Sequence, residues 1–100
     1  MTRDEIATII KPILAQHSVL RASFFGSYAR GTYASESDID ILVEFESDRV
    51  GLGFFSLKED LIAAIPIPLD LIYKPGLRHM EVSFQKNVAQ EAFVFYEKNM

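Results

Sequence analysis

The sequence has no cysteine and no tryptophan. Without a thiol it can form neither a disulfide framework nor a zinc–thiolate site. Glycine and proline are sparse, at 5 and 4 of 100 residues, which excludes collagen-like and Pro/Gly-rich disordered chains. No apolar run approaches the roughly 18 residues that a membrane span needs. The N-terminus, MTRDEIATII, places acids where a secretory signal has basic residues, and it shows no cleavage-site pattern. A cytoplasmic location is the expectation. No block of Lys and Arg stands out and the net charge is -4, so the basic face of a general nucleic-acid binder is missing too.

What is present is a hydrophobic share of 49% with 12% aromatics, enough for a globular chain. One hundred residues make one domain, 1–100, that buries roughly two-thirds of its unfolded surface. Thr2 and Glu5 match a capping box, and Ile6, Ile9, Ile10, Ile13 and Leu14 recur at helical spacing. Residues 3–16 therefore read as an amphipathic helix that Pro12 should bend. Val19 to Phe25 reads as a buried strand, and Asp38 to Phe45 as a second one with Ile39, Ile41, Val43 and Phe45 on one face. A loop at 46–53 leads to a helix marked by Phe54, Leu57, Leu61 and Ile65, which Pro66 and Pro68 end. Leu69 to Tyr73 is a third strand. After the punctuation KPG at 74–76, Leu77, Met80, Phe84 and Val88 mark a third helix. The tail AFVFYEKNM could pack on the core or meet a partner. Three strands cannot hide both faces of a sheet, so helices must supply most of the core.

The chemistry concentrates in FFGSYARGTYASESDIDIL, Phe24 to Leu42. Residues i and i+2 of a strand point to one side, so Asp38 and Asp40 project together while Ile39 and Ile41 face the core. Adjacent carboxylates repel and raise each other's pKa unless a cation lies between them. Mg²⁺ removes that cost and keeps waters for a phosphate substrate. An acidic chain handling a polyphosphate needs such an ion. The plain alternative is a solvated Asp pair at a strand start. Asp70, in IPLDLIY, adds a third acid amid apolar residues, where Asp is depleted unless paired. If its strand lies beside the second, Asp70 can join Asp38 and Asp40 in a two-metal site. Alone it is an edge-strand acid facing water. Gly26 and Ser27 follow a strand, where backbone N–H groups and a hydroxyl can cradle phosphate oxygens, and Arg30 offers a charged fork. The plain alternative is a turn with a solvated Arg. Thr32 stands where a P-loop needs Lys, and an EF-hand would need a third ligand, a glycine and a closing Glu that the spacing does not supply.

These residues resemble a known family. Gly26-Ser27-Tyr28-Ala29-Arg30-Gly31, a spacer of six, and Ser37-Asp38-Ile39-Asp40-Ile41 look like the G-S-x-A-R-G…S-D-x-D signature of polymerase-β-like nucleotidyltransferases. The chain looks closest to the minimal nucleotidyltransferases of prokaryotes, and Leu69-Asp70-Leu71 resembles their third-carboxylate strand. The resemblance implies an α+β fold with a small mixed sheet of three or slightly more strands flanked by helices. It implies two Mg²⁺ ions on Asp38, Asp40 and Asp70 as the catalytic set. It places the phosphates of ATP or another NTP on Gly26 and Ser27, with Arg30 nearby. It further implies an antitoxin that moves AMP onto a tyrosine of a HEPN-domain toxin.

Two other functions stay open at this point: an antitoxin that binds its partner by occlusion without catalysis, and a subunit that senses NTP without transferring it. Glu44 shares the face of Asp38 and Asp40 and is a minor candidate. His17 and His79 read as helix-end or helix-face residues, and Phe54 and Phe55 as core.

Overall fold

The computed structural model describes residues 1–33, 37–46, 52–73 and 92–98. Their order is α1 (Arg3–Gln16), β1 (Val19–Phe25), α2 (Ser27–Arg30), β2 (Ile39–Phe45), α3 (Gly53–Ala64), β3 (Leu69–Tyr73) and β4 (Phe93–Glu97). The predicted helix on Leu77, Met80, Phe84 and Val88, the KPG segment and His79 lie outside the described residues.

Helix α1 starts on the predicted capping box. The Glu5 N–H donates to Thr2 Oγ1 at 3.1 Å, and the Thr2 N–H donates to Glu5 Oε1 at 2.9 Å, so two otherwise unpaired amides are satisfied. Pro12 lies inside the helix, which nonetheless runs on to Gln16. Its buried stripe is Ile6, Ala7, Ile10 and Leu14. Ile9, expected on that stripe, is 38% exposed, because it falls on the flank of a stripe centred on Ile10. His17 caps the helix, and its Nε2 lies 2.7 Å from Asp60 Oδ2, tying α1 to α3.

Among the described residues the sheet has four strands in the order β3-β2-β1-β4. β1 is antiparallel to both β2 and β4, and β2 is parallel to β3 across the α3 crossover. The sheet is mixed and the fold is α+β, as the resemblance implies. Strand alternation then gives the two faces different jobs. Ala22, Phe24, Ile41, Val43 and Leu71 share one face, and they join Ile6, Ile10 and Leu14 of α1 and Leu57 and Leu61 of α3 in the core. Alternation puts Ser23, Phe25, Asp40, Leu42, Glu44, Asp70 and Ile72 on the other face. There Phe25, Ile72 and Leu42 form a small apolar cluster of their own.

The tail is resolved as a strand. Phe95 is buried, and its ring stacks on Phe24 with centroids 4.2 Å apart. Phe54 packs on the core, but Phe55, also expected there, is 59% exposed, its ring edge-on to that of Phe54. No helix among the described residues is long and apolar enough to cross a membrane.

If Phe95 staples β4 to the core, Phe95→Ala should lower the unfolding free energy by about 3 kcal/mol. Urea denaturation checks this, and a loss below about 1 kcal/mol would show that the strand is not part of the cooperative core.

Candidate active site

Strand β1 ends at Phe25, which pairs with Asp40 in the antiparallel register. The next residue, Gly26, has φ 67 and ψ -144, a conformation that a side chain strains. A Cβ at this position would stand 2.8 Å from Asp40 Oδ2. The turn backbone thus packs directly against the Asp40 carboxylate, and only glycine permits that approach. On its other side Asp40 pairs with Asp70 of β3 in the parallel register. A hydrogen bond from the Ile39 N–H to the Pro68 carbonyl, at 2.9 Å, joins the start of β2 to the entry of β3. Asp38, Asp40 and Asp70 are thereby gathered at one end of the sheet, beside the turn.

The turn itself is a single helical turn, α2. The Arg30 N–H donates to the Gly26 carbonyl at 3.2 Å and the Thr32 N–H to the Ser27 carbonyl at 3.0 Å. Gly31 closes it in the left-handed conformation, φ 76. Tyr28, which sequence reasoning passed over as the variable position of the signature, anchors it from below. It is buried, its ring is 6.1 Å from Phe24, and it stacks flat on Tyr33 at 4.3 Å. Burial pushes its hydroxyl pKa up. An aromatic amid small polar residues was the available signal. Ser27 is half-buried at the start of α2, and Arg30 is exposed at its end.

The three acids differ in setting. Asp38 and Asp70 are exposed, whereas Asp40 is half-buried. The Asp40 carboxyl is pushed up to about 6, first by desolvation, then by the charges of Asp70 and Asp38. Among the described residues, no group of three or more Asp, Glu or His side chains stands close enough to hold an ion. The donors nevertheless suit a hard divalent cation. All are carboxylate oxygens on adjacent positions, and the repulsion felt by Asp40 is what such a cation would remove.

A family model described as the nucleotidyltransferase domain matches residues 6–96. The chain belongs to that family. It is therefore a nucleotidyltransferase, an enzyme that transfers nucleotidyl groups. A Methanocaldococcus jannaschii relative, provisionally named a protein adenylyltransferase, is 44% identical to this nucleotidyltransferase over 72 residues, 72% of this chain and 77% of that one. The protein adenylyltransferase MntA of Thermococcus cleftensis is 37% identical over 82 residues, 78% of this chain and 83% of that one. The solved complex of a tri-AMPylated Shewanella oneidensis HEPN toxin with an MNT antitoxin contains a chain of similar fold. It has a TM-score of 0.68 at 19% identity, over 98% of this chain and 75% of that one.

Other acids of the nucleotidyltransferase are engaged elsewhere. Glu44, on the Asp40 face, accepts from Arg21 Nη1 at 3.2 Å, and Arg21 also reaches Glu97 at 3.3 Å. Lys98 pairs with Glu46.

Two outcomes follow from the crowding at Asp40. Gly26→Ala should cost about 1–2 kcal/mol of stability by forcing a strained φ. A chemical melt that shows no loss would mean that the turn adopts another conformation. The raised Asp40 pKa means that its contribution to stability is full below about 3.8 and is lost as pH rises through about 6. Without divalent cations, Asp40→Asn should therefore raise Tm at pH 8 and leave it unchanged at pH 4. Equal shifts at both pH values would contradict this electrostatic account.

Proposed function

We propose that residues 1–100 form one protein adenylyltransferase domain, which moves AMP from ATP to a hydroxyl of a partner protein in the cytoplasm, where ATP is available. The partner is a HEPN-type toxin, and this chain is the antitoxin of the pair. The names of the two archaeal relatives support the adenylyl group, and the AMPylated toxin in the solved complex supports the acceptor class. The observation that carries the catalytic assignment is the register of Asp40 with Asp70, together with the contact between Gly26 and the Asp40 carboxylate.

In this proposal Asp38, Asp40 and Asp70 hold the Mg²⁺ ions. Bound Mg²⁺ supplies positive charge to the phosphate oxygens and acidifies the incoming hydroxyl. The backbone of Gly26 and the hydroxyl of Ser27 orient the β- and γ-phosphates, with the Arg30 fork beside them. The acceptor oxygen attacks the α-phosphorus in line and pyrophosphate departs. Asp70 is exposed, and in this proposal it receives the hydroxyl proton. Asp40 is half-buried and fixed by the turn, which suits a positioning ligand better than a proton carrier.

The test uses labelled ATP, Mg²⁺ and a HEPN-type protein. Label should appear on the partner, and Asp40→Asn should reduce the rate by at least about 100-fold while the chain stays folded. Tight association with no label transferred would favour neutralisation by occlusion. Mg²⁺ should also raise the Tm of the native chain more than that of Asp40→Asn; equal shifts would remove Asp40 from the ion site.

A further inference from the structure

Arg3, the first residue of α1, makes four contacts that local helix structure does not require. Its Nη1 donates to the Tyr28 carbonyl at 3.0 Å and to the Ala29 carbonyl at 3.3 Å. Its backbone N–H donates to the Tyr33 hydroxyl at 3.1 Å. Its guanidinium carbon lies 3.9 Å from the centroid of the Phe93 ring. The contacts reach from α1 to both ends of the Tyr28–Tyr33 segment and to β4.

The hydrogen-bond accounting of α2 explains why such a donor matters. A helix of four residues leaves most of its carbonyls without an internal partner. The Gly26 carbonyl is taken by Arg30, and the Ser27 carbonyl by Gly31 and Thr32. The carbonyls of Tyr28 and Ala29 come next, and both accept from the one nitrogen of Arg3. A charged donor to a part-buried carbonyl is stronger than a neutral one. The flat face of the guanidinium is meanwhile held by Phe93, on a strand that Phe95 pins to the core. The short turn thus borrows its rigidity from a long helix and a sheet strand.

We infer that Arg3 is a positioning residue for nucleotide binding: it fixes the Gly26–Gly31 turn by donating to the Tyr28 and Ala29 carbonyls. The inference rests on the proposal that this turn orients the phosphates. Arg3 touches no substrate in this account. Its loss lets α2 shift, so the Gly26 and Ser27 groups meet the phosphates less well in both ground and transition states. Such a loss of uniform binding raises KM and spares kcat.

The experiment titrates the full chain with ATP and Mg²⁺ by calorimetry, at a temperature where every variant is folded by circular dichroism, and compares Arg3→Met, Arg3→Lys and Ser27→Ala. Arg3→Met should weaken ATP binding about tenfold, the scale of one charge-assisted hydrogen bond, and raise KM with little change in kcat. An ammonium can still donate to two carbonyls, so Arg3→Lys should stay within about threefold of the native chain. If Arg3→Met binds ATP as the native chain does while Ser27→Ala is weakened, the inference on Arg3 is overturned and the turn keeps its role. If Ser27→Ala also binds normally, the phosphate-orienting turn itself falls. Arg3→Lys as weak as Arg3→Met would refute donation as the mechanism. A weakening by Arg3→Met that vanishes on cooling would reduce Arg3 to a purely structural part.

Discussion

The carboxylate of Asp40 is held in a place it would not choose. The backbone of Gly26 presses on it from β1, Asp70 stands beside it on β3, and Asp38 sits two residues before it. Burial and both neighbouring charges raise its pKa to about 6. An isolated carboxyl would relieve this by turning to water. Here the strand fixes the Cα, the register fixes the neighbour, and the missing Cβ of Gly26 leaves room for the carboxylate beside the turn. Positive charge placed beside the three acids would relieve that repulsion.

The two-sided sheet is what bears that load. One face carries the core, where Phe24, Ile41, Val43 and Leu71 meet α1 and α3. Register errors there would rotate each apolar side chain to the wrong face, so the core specifies the pairing strongly. The acids on the opposite face inherit this specification at no further expense. Asp40 and Asp70 become neighbours because Ile39 pairs with Leu69 and Ile41 with Leu71, both pairs lined with apolar side chains. The core therefore sets the geometry of the site from the far side of the sheet. The turn is secured in the same way, through Tyr28 packed beneath it and Arg3 laid across its carbonyls.

Much of this was legible in the residues. The bounds of α1, β1 and β3 follow from the capping box, the β-rich run and the prolines, because those signals act over a few residues. Gly26 and the Asp38–Asp40 pair could be singled out for the same reason: a left-handed turn needs glycine, and strand alternation places acids two apart on one side. Errors appeared where a local pattern had no local cause. Ile9 matches the helical period but lies at the flank of its stripe, and Phe55 was expected in the core although it falls off the Phe54–Leu57–Leu61 period; the edge of a stripe depends on what is packed against it. The tail could not be assigned, since Phe93–Glu97 is a strand only by virtue of pairing with β1, far away in the chain. Tyr28 and Arg3 gave little warning, because their partners lie on other elements.

The order of α1, β1, β2, α3 and β3, the glycine turn, the closely spaced acids and the membership of a nucleotidyltransferase family were all determined by the sequence itself. They depend on propensity, period and motif, which neighbours along the chain express. The tertiary structure alone decided that Asp70 stands opposite Asp40, that β4 completes the sheet on the β1 side, and that Arg3 grips the signature turn. Each is a meeting of residues remote in sequence, and the chain's own pattern states which side chains want burial but not which of them will share it.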